Sequence, residues 1–227
     1  MEPALAESLS TRRAFLLLGF VVAMALVGLL DDLQKFRRRG AYGFGARVRI
    51  LVEIVFALGL VWALRGQVAQ HEVPTLRLLF IPGVGALWLA CAVFVLVGSA
   101  NAVNLTDGLD GLAAGLVALC ALALAAGCAV TRQPDLAFLS LLVAGVAGGF
   151  LWYNASPARI FMGDVGSLGL GAAVGGIAIA ARLELVLLVA GLIFVAETLS
   201  VIGQVVSFRT TGRRILKMAP LHHHFEL

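Results

Sequence analysis

The sequence predicts an all-α fold: a polytopic membrane helical bundle of about seven transmembrane helices, N-terminus outside and C-terminus inside. Three observations carry that prediction. The chain is 61% hydrophobic and only 13% charged, with mean hydropathy +1.00, well outside soluble composition. Its apolar residues form runs close to the roughly 20 that a helix needs to cross the hydrocarbon core. Its polar residues gather in four blocks, and counting crossings puts all four on one face.

The runs are 14–30, 50–64, 79–98, 112–131, 136–152, 168–181 and 185–208. The first ends at Asp31-Asp32, where a cleaved signal peptide would instead offer a small-residue cleavage site. The third leads into the block NAVNLTDGLDG (101–111), and the fifth into NASPARIFMGDVGS (154–167). The sixth is short and rich in Gly and Ala, which suits close helix packing. The last leads through a basic loop to PLHHHFEL (220–227). Removing these spans leaves no soluble domain, so residues 1–227 read as one integral membrane domain. No internal repeat is present.

Orientation follows from the basic residues. Of 17 Lys and Arg, an N-out chain leaves only Arg12, Arg13, Arg65, Arg77, Arg132 and Arg182 outside. That asymmetry favours N-out, C-in, although Arg12 and Arg13 pull the other way. The surplus of +4, including the run from Lys35 to Arg39, suits contact with anionic lipid or steering of an anionic substrate. Cys91, Cys120 and Cys128 all lie inside apolar spans without CxxC spacing, and read as packing residues.

The four blocks carry the chemistry. Asp31 and Asp32 close an apolar span, where ionised carboxylates need solvent, a partner or a metal. They read as a helix-end pair bridged to Lys35, or equally as hard oxygens for Mg²⁺. Asn101, Asn104, Asp107 and Asp110 recur every three residues, a polar stripe richer than helix capping requires. Asp164, flanked by glycines, reads as an N-cap of the next helix or as a ligand that holds Mg²⁺ against phosphate. Phe161 suits stacking or packing, and Asn154 suits an amide contact or a turn. His222, His223 and His224, near Arg213, Arg214 and Lys217, suit metal or diphosphate contact. No zinc-finger spacing and no GxxxxGK[ST] occurs, and no nucleic-acid partner is expected. Anionic phosphate chemistry with Mg²⁺ at the membrane face fits these residues best.

The strings NAVNLTDGLDGLAAG, FMGDVGSLGLG, ETLSVIGQV and MAPLHHHFEL resemble the polyprenyl-phosphate N-acetylhexosamine-1-phosphate transferases. The HHHFE string points to their muramoyl-pentapeptide branch, the phospho-N-acetylmuramoyl-pentapeptide transferases. The likeness runs from about Val27 to Leu227. It implies a Mg²⁺-dependent transfer of phospho-MurNAc-pentapeptide from its UDP carrier to undecaprenyl phosphate, giving lipid I and UMP for peptidoglycan. It also implies a multi-pass protein of the bacterial inner membrane with its active site on the cytoplasmic face, and it allows a homodimer.

Carried over by motif, Asp164 would be the principal Mg²⁺ ligand, with Asp31 and Asp32 near the lipid phosphate. Asn104, Asp107 and Asp110 would line the cleft, Asp107 nearest the nucleotide. Asn154 and Phe161 would meet the uridine end, and His222, His223 and His224 the diphosphate and sugar. Arg49 stands where the family usually has Lys, and Glu53 replaces a nearby Gln; the i, i+4 spacing predicts that they pair. Relative to the family the chain is expected to lack upstream helices and a final helix. A transferase of another UDP-N-acetylhexosamine, or a non-catalytic membrane remnant of the fold, are the alternative readings.

Overall fold

The computed structural model describes residues 3–37, 45–68 and 85–227. Arg38, Arg39, Arg77 and the 79–84 part of the third expected span lie outside the described residues. The described residues form nine helices in the order α1 (Pro3–Arg37), α2 (Ala46–Val68), α3 (Gly85–Thr106), α4 (Leu112–Val130), α5 (Pro134–Asn154), α6 (Gly163–Ala181), α7 (Glu184–Ala190), α8 (Leu192–Thr211) and α9 (Leu221–Glu226). The all-α expectation holds.

Among the described residues six stretches are long and apolar enough to cross a membrane: Thr11–Arg37, Trp88–Thr106, α4, α5, α6 and α8. The second expected span, 50–64, lies within α2, which has the length but carries Arg47, Arg49, Glu53 and Arg65. The 185–208 span also differs, because it breaks at Gly191 into α7 and α8. The sixth span is longer than its apolar run, since the helix starts at Gly163 and takes in Asp164. Chains with this many apolar crossings are multi-pass membrane proteins. Exposed Phe15, Leu18, Val22, Leu141, Leu142 and Val146 give the bundle an apolar outer face.

At the centre stands α6, buried along nearly its whole length and packed chiefly on α1 and α3. Its small residues allow that placement. A Cβ at Gly28 of α1 would collide with the Asp164 backbone, so α1 and the start of α6 meet almost backbone to backbone. The Gly28→Ala chain is therefore expected to lose about 2 kcal/mol of stability through overpacking. A thermal melt in detergent checks this, and an unchanged midpoint would contradict it.

The end of the bundle opposite the polar blocks is pinned separately. Arg13 of α1 pairs with Asp135 of α5 at 3.0 Å. Gln133 donates through Nε2 to the Ala181 carbonyl at 3.0 Å.

Candidate active site

Three chain segments far apart in sequence converge at one end of the bundle. Asp31, Asp32 and Lys35 lie in the last turns of α1, inside the helix rather than after it. Asn101 and Asn104 extend from the last turns of α3, and Asp107 and Asp110 from the loop that follows. Asp164 occupies the first turn of α6.

Asp164 is the hub. Its Oδ2 pairs with Lys35 Nζ at 2.7 Å and with Arg49 Nη1 at 3.3 Å. Its Oδ1 accepts from Asn104 Nδ2 at 2.9 Å, and the same nitrogen lies 2.9 Å from Ser167 Oγ. Asp164 does not cap its own helix. Asp32 does so from α1, accepting from the Val165 N–H at 3.2 Å, where the positive helix end favours a carboxylate. Asp31 is buried and binds Lys35 at 2.7 Å, with Arg49 4.0 Å away. The local pairings that spacing predicts, Asp31 with Lys35 and Arg49 with Glu53 (3.5 Å), are present.

A cavity of about 290 Å³ opens beside this hub, lined by Asn104, Asp107, Gly108, Leu109, Asp110, Asn154, Phe161, Gly163 and Asp164. Phe161 is exposed at its wall. Asn154 uses both ends of its amide, accepting from the Gly111 N–H at 3.0 Å and donating to the Ile160 carbonyl at 2.9 Å. Asp110 accepts from the Ala158 N–H at 2.9 Å. In this structure Asn154 and Asp110 thus hold the loop that presents Phe161.

The histidine block reaches the same place. His222 is buried, and a Cβ at Gly108 would collide with its Nε2, so the ring packs directly on the loop beside Asp107. Its backbone N–H donates to both carboxylate oxygens of Glu197 (3.2 and 3.3 Å), and its Nδ1 lies 3.2 Å from Oε2. The His223 ring lies 4.2 Å from that of His222 and its Nδ1 meets Glu226 at 2.7 Å. His224 Nδ1 accepts from the Lys217 N–H at 3.1 Å. Sequence reasoning did not single out Glu197, Ser167 or Gln204. Gln204 Oε1 accepts from the Ile215 and Leu216 N–H groups, both at 2.9 Å, and so fastens the basic loop to α8. A buried acid or amide in an otherwise apolar helix was the available signal for Glu197 and Gln204.

Burial, with repulsion from Asp164 and Asp32 adding to it, pushes the Asp107 carboxyl up to about 6. Between the ordinary value of 3.8 and about 6, the folded chain holds a proton that the unfolded chain has lost. That contribution to stability is therefore present at low pH and lost as pH rises through the window. A divalent cation near these carboxylates favours the ionised form, so Mg²⁺ is expected to move the titration downward. Carbon-13 NMR of labelled Asp, with and without Mg²⁺, checks this; a titration indifferent to Mg²⁺ would contradict it.

Among the described residues no group of three or more His, Cys, Asp and Glu side chains could enclose a metal ion. Mg²⁺ does not require one, because it commonly takes one or two carboxylates and completes its shell with water and substrate phosphates. Asp164 and Asp107 line one cavity and repel each other, a donor set that fits that sparse mode.

A second, apolar groove of about 590 Å³ runs between α2 and α3, lined by Ile50, Ile54, Leu58, Leu89, Val93, Phe94 and Val97 among others. It ends at Asn101, whose Oδ1 accepts from Arg49 Nη2 at 3.0 Å. An apolar channel thus leads to a charged head.

Residues 14–182 match the model of glycosyl transferase family 4. Curated relatives named phospho-N-acetylmuramoyl-pentapeptide-transferase include one from Mycolicibacterium gilvum, 44% identical over 237 residues, covering 93% of this chain and 66% of the relative. One from Bacillus licheniformis is 45% identical over 214 residues, covering 93% and 65%. One from Carboxydothermus hydrogenoformans is 42% identical over 223 residues, covering 95% and 69%. The chain spans about two thirds of the length of the curated relatives it matches, 65% to 69% of these three.

Proposed function

We propose that this chain, which belongs to glycosyl transferase family 4, transfers phospho-MurNAc-pentapeptide from UDP-MurNAc-pentapeptide to undecaprenyl phosphate, giving lipid I and UMP. The reaction would take place at the cytoplasmic face of the bacterial plasma membrane and depend on Mg²⁺. The observation that carries this reading is the hub itself. One carboxylate, Asp164, gathers two cations and an amide at the mouth of a polar cavity, beside an apolar groove. A polar donor and a lipid acceptor need those two approaches to meet.

The acceptor phosphate has a second pKa near roughly 6, so it is mostly dianionic at neutral pH and needs little help from a base. The harder task is bringing two anions together. Lys35 and Arg49 are the cations placed to screen them. Mg²⁺, when bound at Asp164, would supply further charge neutralisation at the transferred phosphoryl group. An acceptor oxygen attacks the β-phosphorus in line; the new P–O bond forms as the bond to the bridging oxygen breaks, and UMP leaves with that electron pair. Asp31 and Asp32 are already engaged, one by Lys35 and the other by the start of α6, which supports a positioning role over a covalent one.

In this reading Asp107 and Phe161, on the walls of the polar cavity, would meet the nucleotide end, and His222 and His223, beside Gly108, the diphosphate and sugar. The test replaces the donor. Loss of turnover with UDP-N-acetylglucosamine but not with UDP-MurNAc-pentapeptide supports the muramoyl branch; the reverse would assign another UDP-N-acetylhexosamine.

A further inference from the structure

We infer that Glu53 is a positioning residue: together with Asn101 it fixes which edge of the Arg49 guanidinium faces the transfer site. The inference rests on the transferase reading above. Glu53 lies on α2 one turn beyond Arg49 and is fully buried. A carboxylate there is costly unless its partners compensate it.

Its Oε2 accepts a short hydrogen bond from Asn101 Nδ2, which also donates to the Val97 carbonyl at 3.0 Å. Its Oε1 stands 3.5 Å from Arg49 Nε. That contact is ionic and too long and poorly aligned for a hydrogen bond, and neither atom has a hydrogen-bond partner among the described residues. With both acceptors to its amino group on one side, the Asn101 amide turns Oδ1 toward Arg49 Nη2, 3.0 Å away. An ionised carboxylate accepts only, so Glu53 disfavours the flipped amide, which would set N–H against N–H at the guanidinium.

Nε and Nη2 form one side of the guanidinium fork, and Glu53 and Asn101 face that side. Nη1 is left toward Asp164 at 3.3 Å and Asp31 at 4.0 Å. Asn101 also closes the apolar groove, so the oriented edge stands where a lipid phosphate would arrive. An ammonium has no fork to hold, so a Lys at this position would escape the constraint.

The test uses the purified chain in detergent. Nitrogen-15 NMR of arginine guanidinium groups, with Arg49 assigned by its loss in Arg49→Lys, reports rotation about the Nε–Cζ bond. Slow rotation in the wild type that becomes about 10-fold faster in Glu53→Gln is expected. In turnover, Glu53→Gln is expected to raise KM for undecaprenyl phosphate about 10-fold, with little change in KM for the UDP donor or in melting temperature. The same substitution in the Arg49→Lys background is expected to change KM by less than about 2-fold. Free rotation of Arg49 in the wild type, or an equal penalty in both backgrounds, would overturn the inference. If the wild type shows no turnover, the transferase reading fails, and the rotation measurement still decides the role of Glu53.

Discussion

Asp164→Asn is expected to lower Mg²⁺-dependent UMP release by about 10³-fold or more while leaving the bundle folded. The asparagine keeps an oxygen for Asn104 but removes the charge that gathers Lys35 and Arg49. The fold tolerates this because each cation retains another carboxylate. Lys35 keeps Asp31 at 2.7 Å, and Arg49 keeps Glu53 at 3.5 Å. Folding and chemistry therefore separate at this residue. Steady-state rates, a thermal melt and Mn²⁺ binding by electron paramagnetic resonance check the three parts together. A variant that keeps more than about a tenth of the activity would remove Asp164 from the centre of the reaction.

Glu197→Ala is expected to cost about 2–3 kcal/mol locally and to lower kcat/KM about 10²-fold. Glu197 and His222 are both buried, and the carboxylate receives the His222 backbone N–H while standing 3.2 Å from its ring. Removing it leaves the buried His222 N–H without its acceptor, a loss of about 1–3 kcal/mol, and takes away the carboxylate beside Nδ1, which itself makes no hydrogen bond. The start of α9 then loses its anchor to α8, and the His222 ring its seat against Gly108. The Gln204 clamp on Ile215 and Leu216 is separate, so loosening should concentrate at α9 rather than across the basic loop. Hydrogen exchange at the His222 amide, measured beside the kinetics, checks this. Glu197→Gln, which retains an acceptor, should restore part of the protection. Unchanged exchange in Glu197→Ala would contradict the assignment.

The sequence made some of this arrangement legible and hid the rest, for physical reasons. Composition and run length announce membrane-crossing helices because the bilayer enforces a length of about 20 apolar residues. The i, i+4 geometry of a helix makes Asp31–Lys35 and Arg49–Glu53 readable directly. Asp164 was readable as important but not as placed. A glycine-flanked Asp before an apolar run looks like an N-cap, yet the cap comes from Asp32, on a helix 133 residues away in sequence. Spacing also cannot show that Lys35 reaches Asp164 across 129 residues, since that contact depends on how α1 packs on α6.

Hydropathy described two elements incompletely. The apolar run 50–64 gave no sign that the helix around it, α2, carries Arg47, Arg49 and Arg65 besides Glu53, and hydropathy passed through Gly191 as though α7 and α8 were continuous. Glu197 carried a signal that was not used. A lone acid in an apolar helix predicts a partner, but only the fold reveals that the partner is His222.

The most direct measurement is UMP release by the purified, folded chain in detergent, supplied with UDP-MurNAc-pentapeptide and Mg²⁺, with and without undecaprenyl phosphate. Release that requires both the lipid phosphate and Mg²⁺, with lipid I formed in equal amount, is the predicted result. A monodisperse, folded chain that releases no UMP at any lipid or Mg²⁺ concentration, or releases it equally without lipid, would contradict the proposed transfer.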